Sequence, residues 1–547
     1  MPALERKWWT LIVVCTAIFM LLLDITVVNV ALPDIQRSLH SSFSDLQWVV
    51  DAYALTLAAF LLTAGVVGDT FGRREVFAIG LGIFSLSSLV CGLSVNPLML
   101  NLARAVQGVG GAIMFATSLA LIAGAFEGRD RGTAFGVFGA VTGAALAVGP
   151  LIGGAITSGI GWRWIFFVNV PIGVLAIALT LAQVAESKDP NRRRIDWAGF
   201  VSFSASLFML VFALVRGNTV GWGSAQIAGL LAGAGLLMFV FVVAEMRQTE
   251  PMLDLSLFRR PAMIGVSVCA FALSASLFAL FLYLTLYIQD GLGYSPLGAG
   301  LRFLPITLLA FVVAPFAGKL TGRMQARYLL GSGLVLVGAS QLLMATTHPD
   351  SSWTQLLPGF IVGGAGIGMV NPVLASSAVA VVSPQRSGMA SGANSTFRQV
   401  GIATGIAGLG AVFQSQIVHR TIATLSATPG GRLLTSHGVS RLDLALTAGQ
   451  VRSVVQSTQL PPVTRAALLY AYRVGFSATL NELMVIGGVV SLVGAVLTYG
   501  LVRQRDFVAS GVAVAQPARQ LRGMQPQPAG ETTTRVALSA SGGSDQD

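Results

Sequence analysis

The feature that most constrains this chain is its series of long apolar runs. Each run has about 20 or more mostly apolar residues, which is the length that an α-helix needs to cross a bilayer. Only 10% of the 547 residues are charged, whereas a soluble domain has about 25%. The sequence therefore predicts an all-α integral membrane protein with about 14 transmembrane helices, near residues 9–32, 46–67, 76–96, 98–125, 133–158, 164–185, 197–215, 224–245, 262–289, 297–318, 327–346, 354–381, 394–418 and 476–502.

Basic residues are unequally distributed between alternate loops. The short loops on one side hold only Arg37, Arg163 and Arg216, while the other side holds clusters such as 192–194 and Arg259–Arg260. Cytoplasmic loops carry the excess of Lys and Arg, so both termini are predicted to be cytoplasmic. Nearly all basic residues are arginines and Ala, Gly and Val are abundant, which favours a GC-rich bacterial genome. We therefore expect a multi-pass protein of the bacterial cytoplasmic (inner or plasma) membrane.

A faint internal repeat divides the chain into two halves. Segments that begin at Gly65, Gly108 and Arg131 are echoed by later segments at offsets of 253, 256 and 255 residues. Parallel repeats of this kind are a transporter design, with the substrate site between them. We predict a six-helix bundle at 1–190, two inserted helices at 191–260, and a second six-helix bundle at 261–507 with a long outer loop at 419–475. Residues 508–547 are rich in Gln, Pro, Ser, Gly and Thr and are predicted to be a disordered cytoplasmic tail.

One acid, Asp24, lies inside the first apolar run, within "MLLLDITVVNVALP". A carboxylate at membrane depth is costly and by default indicates function. On helix 4, Arg104, Gln107 and Gly108 share one stripe. At 1.5 Å per residue, Asp24 and Arg104 lie roughly 12 Å and 9 Å from the outer ends of their helices, so they can meet. We prefer a carboxylate that gains and loses a proton, although a fixed structural ion pair is the alternative.

The predicted inner loop after helix 2 reads "GVVGDTFGRR" and contains Gly65, Asp69, Gly72, Arg73 and Arg74. Its glycines permit a tight turn, and Asp69 can face a helix N-terminus favourably. An ordinary basic cytoplasmic loop explains the arginines alone, but it does not explain the spacing of the acid and the glycines.

Helix 5 carries the small residues Gly149, Pro150, Gly153 and Gly154. They remove bulk and interrupt the hydrogen-bond ladder, so they predict close helix packing and a bend. Such a pattern taken alone also fits mere helix packing.

Together these patterns resemble the major facilitator superfamily. "LDITVVNVALP", "WRWIFFVNVPIG" and the count of 14 helices narrow the resemblance to its drug:proton antiporters, over roughly residues 8–505. The resemblance implies that Asp24 and Arg104 serve proton coupling. It also implies that the inner-loop motif at Asp69 and Arg73 serves conformational switching and that the helix-5 motif serves antiport. Gly322 stands where the second half would need its own copy of Asp69, so we expect an asymmetric latch.

Other polar residues within the predicted helices are weaker candidates. Asp51 and Glu482 lie roughly 8 Å inside the outer ends of helices 2 and 14, where each is either a reserve proton site or an interfacial residue that reaches water. Gln107, Phe115 and Asn371 are candidates for a substrate cavity, with packing as the alternative. No spacing of cysteines or histidines indicates a metal site, and no cofactor is expected.

The predicted function is proton-coupled export of amphipathic drugs or antibiotics by alternating access. An alternative keeps the fold and changes the cargo to a lipid, a peptide or a self-made antibiotic. A membrane receptor or enzyme is a further alternative, but the sequence contains no nucleotide phosphate loop, no H-E-x-x-H and no G-x-S-x-G motif. We expect no nucleic-acid partner, because the basic residues belong to cytoplasmic loops.

Overall fold

The computed structural model describes residues 5–126, 128–186, 196–249, 251, 253–321, 323–381, 387–428 and 461–507. Within these ranges the chain is built from α-helices and short 3₁₀ and π segments. The α-helices are α1 (Arg6–Leu39), α2 (Phe43–Phe71), α3 (Arg73–Gly92), α4 (Pro97–Ala125), α5 (Gly128–Gly159), α6 (Trp164–Phe167), α7 (Asn169–Gln183), α8 (Trp197–Val220), α9 (Ala225–Arg247), α10 (Pro261–Leu273), α11 (Ala279–Leu286), α12 (Pro296–Leu320), α13 (Ala326–Met344), α14 (Leu357–Ala380), α15 (Ser387–Ala427) and α16 (Pro462–Leu501).

The described part of the chain contains 12 helical spans that are long and apolar enough to cross a membrane. Helices α6 and α7 together make one of them, and α10 and α11, joined by a π segment at Ser274–Phe278, make most of another. Helix α5 is a thirteenth span if its two segments, which meet at 43°, are counted together. Adding α2, which is 29 residues long and contains the apolar run 46–67, gives the predicted number of helices.

Local signals in the sequence explain where several helices begin. Ser42 caps α2, and its hydroxyl and the Asp45 carboxylate form a capping box with each other's backbone N–H groups. Helices α4 and α12 begin with a proline in the first turn, each preceded by a polar cap, Asn96 and Ser295 respectively. These signals lie at the ends of the apolar runs, so these helices begin within a few residues of the predicted runs.

Most of the helix packing falls within two groups. Helices α1–α7 contact one another through pairs such as α2 with α4, α3 with α4 and α1 with α5. Helices α10–α16 do so through α12 with α14, α13 with α14, and α15 with α16. We call these groups the N-terminal bundle and the C-terminal bundle. Helices α8 and α9 pack against each other, and α8 also contacts α2 and α15, one helix from each bundle.

The two bundles meet along two seams, α5 against α12 and α2 against α15. We call the end at which α1 ends and α2 begins the outer end, because the loop charges predict that it faces the outside. The described hydrogen bonds between bundles lie at the middle of their helices or nearer the outer end: Gln289 to the Val30 carbonyl (2.7 Å), the Leu297 amide to Ser158 (2.9 Å), Gln47 to the Ile406 carbonyl (3.1 Å) and Gln414 to Gln47 (3.1 Å).

The structure extends helices into two regions that the sequence predicts as loops. Helix α15 continues to Ala427 and α16 begins at Pro462, so both ends of the predicted outer loop 419–475 are helical. These extensions bury Thr421 and Leu425 of α15 and Leu468 of α16. The apolar run ends earlier than the helix because packing between α15 and α16 continues past it. The rest of that loop, the predicted tail 508–547 and Gly322 lie outside the described residues.

Candidate functional site

An ion pair between α1 and α4 forms the charged centre of the N-terminal bundle. Asp24 Oδ2 lies 2.5 Å from Nη1 of Arg104, and the side chains are 0% and 1% exposed respectively. The contact that we expected from the depths of these two residues is therefore present. Their role in proton coupling remains a prediction.

The second oxygen of the Asp24 carboxylate also has donors. Oδ1 accepts hydrogen bonds from Gln107 Nε2 at 3.0 Å and from Asn169 Nδ2 at 3.3 Å. Asn169 also donates to Ser88 Oγ at 3.1 Å, which connects α7 and α3 to the site. Sequence reasoning missed Asn169 and Ser88. The signal that could have found Asn169 is an amide side chain within the apolar segment "WRWIFFVNVPIG".

Arg104 has further partners on α2 and on its own helix. Its Nε donates to the backbone carbonyl of Val49 at 3.1 Å, and Nη1 donates to Gln107 Oε1 at 2.8 Å. The guanidinium carbon lies 4.2 Å from the centre of the Tyr53 ring, a distance typical of cation–π contact. The arginine is thus held by α1, α2 and α4 together.

We call the buried polar side chains that meet here the Asp24 cluster: Asp24, Arg104, Gln107, Asn169 and Ser88. Each of them is at most 2% exposed. The desolvation cost of a buried ion pair is offset when both partners are fully hydrogen-bonded, whereas removal of one partner leaves an uncompensated buried charge. Proton uptake by Asp24 would therefore end the ion pair and release Arg104, and water must first reach the cluster for that exchange to occur.

Helix α5 approaches α1 closely at two of the predicted motif glycines. A Cβ atom added at Gly149 would collide with the side chain of Thr26, and one added at Gly153 would lie 2.9 Å from Val27 Cα. Both contacts lie beside the turn of α1 that carries Asp24. The glycines therefore let α5 pack directly against the helix that bears the acid.

The same motif also makes backbone contact with the other bundle. A Cβ atom added at Gly154 would lie 2.6 Å from the Pro296 carbonyl oxygen of α12. Reciprocally, a Cβ atom at Gly300 of α12 would collide with the Pro150 carbonyl. The expected bend of α5 is present as the 43° angle between its two segments. Its role in antiport remains a prediction.

The predicted inner loop is almost entirely helical. Only Gly72, with a φ of 121°, separates α2 from α3, which is a conformation that glycine adopts without strain. Glu186 caps the start of α3, because its carboxylate accepts hydrogen bonds from the backbone amides of Arg74 at 3.1 Å and Glu75 at 3.3 Å. Sequence reasoning missed Glu186, which lies far away in the chain.

Other residues of that motif are Gly65, Asp69 and Arg73. A Cβ atom added at Gly65 would meet nothing within 4 Å, and Arg73 begins α3. Asp69 belongs to α2, but its side chain lies outside the described residues. The switching role of the motif therefore remains a prediction.

The two reserve acids occupy contrasting positions. Asp51 is 0% exposed, and within the described residues neither of its oxygens has a hydrogen-bond partner. Glu482 is about one-third exposed and lies 2.5 Å from Nη2 of Arg420. Asp51 is thus as deeply buried as Asp24, whereas Glu482, at the middle of α16, belongs to a partly exposed ion pair with α15.

The predicted cavity residues lie on two helices, α4 and α14, and their role in a substrate cavity remains a prediction. Gln107 is fully buried in the Asp24 cluster, Phe115 packs against the core of the N-terminal bundle, and Asn371 lies on α14. A cavity of about 550 Å³ lies between α1 and α5, and its lining residues are Trp8, Leu11, Ile12, Cys15, Thr16 and Val137. Among the described residues, no group of three or more His, Cys, Asp or Glu side chains could hold a metal ion.

Comparison with known proteins decides the family. Residues 14–406 match the sequence profile of the Major Facilitator Superfamily. The chain belongs to the Major Facilitator Superfamily. It is therefore a multi-pass membrane transporter, and the predicted major facilitator fold is confirmed.

Several curated members of the Major Facilitator Superfamily are similar to this chain. "Multidrug resistance protein Stp" of Mycobacterium tuberculosis is 37% identical over 406 residues, which is 74% of this chain and 75% of that protein. "Puromycin resistance protein pur8" of Streptomyces alboniger is also 37% identical, over 74% of this chain and 82% of that protein. "Probable actinorhodin transporter" of Streptomyces coelicolor is 35% identical, over 75% and 73%. The resemblance to the drug-efflux members of the superfamily is therefore confirmed.

A solved structure with the same fold is a bacterial homologue of the human lysosomal transporter Spinster, in an inward-facing and unoccupied conformation. It has a TM-score of 0.56 and 17% identity, and it covers 93% of this chain and 100% of its own. At that identity the likeness concerns the fold alone.

Proposed function

We propose that this member of the Major Facilitator Superfamily exports amphipathic drugs or antibiotics in exchange for protons. The names of its relatives support a small-molecule cargo, since they refer to multidrug resistance, puromycin resistance and actinorhodin transport. A lipid, a peptide or a self-made antibiotic is the alternative cargo in the same fold. The Asp24 cluster is the observation that carries the proposal.

Asp24 acts as the proton-coupling acid in this scheme. The ionised carboxylate pairs with Arg104, which is the arrangement in the structure. The protonated acid is neutral, so it releases Arg104 from the pair and frees Gln107 and Asn169 for other contacts. Because two states of one side chain make different contacts with α4 and α7, proton binding can favour one conformation over another.

Alternating access would use the two seams between the bundles. The described hydrogen bonds between the bundles lie at the middle of the helices or nearer the outer end, and Gly154 packs on the backbone of α12 near that end. Both observations support a conformation that is closed on the outer side. The motif from Gly65 to Arg74 would then switch the inner side, with Asp69 as its acid.

The proposed topology places both termini in the bacterial cytoplasm and the segment between α15 and α16 outside. The N-terminal bundle, the inserted pair α8–α9 and the C-terminal bundle would be its three parts. The excess of arginine on one side supports this orientation. Tags at residue 1 and after Phe507 should react only from the cytoplasm, and an external C-terminus would contradict the even number of helices.

The decisive experiment measures proton release when substrate binds to the purified protein. Ethidium, a lipophilic cation, is one probe, and puromycin is a second. We expect the wild type to release protons on binding, and Asp24→Asn to bind the same probe without release. Asp24→Asn should also fail to export the probe against a gradient in proteoliposomes. If Asp24→Asn releases protons and exports normally, Asp24 is a structural residue and the coupling site lies elsewhere.

A further inference from the structure

Asp51 lies on the face of α2 that meets α15, because it follows by one helical turn Gln47, which bonds the Ile406 carbonyl of α15. It is completely buried, yet within the described residues neither carboxyl oxygen has a hydrogen-bond partner. Asp24, at the same level of burial, has three donors. A buried ionised carboxylate without partners is strongly destabilised, and such groups usually become neutral instead.

The polar groups next to Asp51 are engaged with one another. Gln47, one helical turn before Asp51, donates to the Ile406 carbonyl at 3.1 Å and accepts from Gln414 at 3.1 Å. Tyr283 of α11 donates to the same Ile406 carbonyl at 2.7 Å. These bonds join α2, α11 and α15 one helical turn from Asp51, and two of those helices belong to the C-terminal bundle.

Tyr283 is the titratable group of the C-terminal bundle that donates to the same Ile406 carbonyl as Gln47. The other charged groups on the helices around α2 are engaged or distant. Asp24 of α1 pairs with Arg104 of α4, Asp45 of α2 binds Ser42, Arg420 of α15 pairs with Glu482, Arg398 of α15 lies 5.8 Å from the Phe278 ring, and Arg216 of α8 is exposed over Phe212.

We propose that Asp51 is a proton-operated lock on the α2–α15 seam, which closes on the outer side only when this carboxyl group carries a proton. When the seam is closed, Asp51 is sealed among Gln47, Tyr283 and the α15 backbone, and the neutral acid is the stable form. When α2 and α15 separate at the outer end, water reaches the carboxyl group and it can ionise. The equilibrium between the two conformations is thereby linked to the proton concentration.

The lock differs from a coupling acid in where its proton goes. Asp51 takes a proton from the outside as the seam closes, and it returns that proton to the outside when the seam opens. No net transfer across the membrane results, so the lock sets the pH dependence of closure without changing the coupling ratio. It rests on the proposed alternating access, but not on Asp24 as the coupling acid.

The test measures the distance between α2 and α15 directly. Spin labels on cysteines introduced at Ser44 of α2 and Ser415 of α15 report separation of the outer ends by double electron–electron resonance, with the full chain in nanodiscs. The three native cysteines are buried and are replaced by alanine first: Cys15, Cys91 and Cys269. In the wild type, the ratio of open to closed seams should rise with pH by up to about tenfold per pH unit, which is the limit for one linked proton.

The variants separate the lock from other effects. Asp51→Asn cannot ionise, so its seam should stay closed and show no pH response. Asp51→Leu, which also cannot ionise, should give the same result and replaces Asp51→Asn if the amide side chain disturbs folding. Asp51→Glu should retain a pH response. Asp24→Asn should retain it too, which distinguishes failure of the lock from failure of the coupling proposal. Distances in the wild type that do not change with pH, or a response in Asp51→Asn equal to that of the wild type, would overturn the lock.

Discussion

Asp24 and Asp51 are both carboxylic acids on helices of the N-terminal bundle, and both are almost completely buried. Asp24 lies inside that bundle, where α1, α3, α4 and α7 supply the Asp24 cluster. Asp51 lies on the seam face of α2, one turn from the Gln47 side chain that bonds α15, to which Tyr283 of α11 also donates. Burial alone therefore does not define the role of an acid in this protein. What differs is whether its neighbours belong to the same bundle or to the other one.

This difference suggests two kinds of chemical control. In the proposed alternating access, the Asp24 cluster would keep its partners when one bundle moves as a body, and its charge state would change only when a proton reaches it. The same movement would itself disrupt the surroundings of Asp51. We therefore expect the largest effect from removing a partner of Asp24, a smaller effect from disturbing a seam, and the smallest from neutralising a partly exposed acid.

The largest expected effect comes from Arg104→Ala, which would leave the buried Asp24 carboxylate without its counter-charge and with only Gln107 and Asn169 as donors. Removing one member of a buried ion pair costs about 3–5 kcal/mol, because the other charge stays buried and uncompensated. We expect a large fall in melting temperature and in the yield of folded protein, measured by thermal unfolding in detergent.

The matched control is the double variant Asp24→Asn with Arg104→Gln, in which both charges are removed. This double variant should regain most of the stability that Arg104→Ala loses, but it should not regain proton release. A single Arg104→Ala variant as stable as the wild type would mean that the ion pair does not stabilise the N-terminal bundle.

The helices of this fold could be predicted from the apolar runs because bilayer thickness sets their length. The contact between Asp24 and Arg104 could also be predicted, since depth along a helix is a one-dimensional quantity. Asn169 and Glu186 could not, because their partners come from helices far away in the chain and depend on how the helices are rotated. The contrast between Asp24 and Asp51 could not be predicted for the same reason: the sequence places both acids at membrane depth but does not show which of them faces the inside of a bundle and which faces a seam.

A smaller effect is expected from Gly154→Ala, which sharpens the comparison by disturbing a seam while leaving the Asp24 cluster intact. The added Cβ atom would lie 2.6 Å from the Pro296 carbonyl oxygen. Because that oxygen is a backbone atom, it cannot rotate away as a side chain could. Overpacking of this kind costs typically 1–3 kcal/mol. We expect the closed outer conformation to be disfavoured, so the distance between spin labels across the α5–α12 seam should lengthen and export should slow.

Gly139→Ala is the control on the same helix, because a Cβ atom there would meet nothing within 4 Å. It should leave the distances and the export rate close to those of the wild type. If Gly154→Ala also leaves the distances unchanged, the α5–α12 seam does not separate during transport. Any movement at the α2–α15 seam would then occur without separation of α5 from α12.

The smallest effect is expected from Glu482→Gln, which asks whether an acid on a membrane helix matters when it is only partly buried. Glu482 and its partner Arg420 are 33% and 30% exposed, and a pair so close to solvent contributes about 0–1 kcal/mol. The melting temperature should therefore hardly change, and proton release on substrate binding should match that of the wild type. Asp24→Asn removes the same charge at a buried site and provides the comparison within one assay. Loss of proton release in Glu482→Gln equal to that in Asp24→Asn would place Glu482 in the coupling machinery, and burial would then no longer separate the coupling acid from the rest.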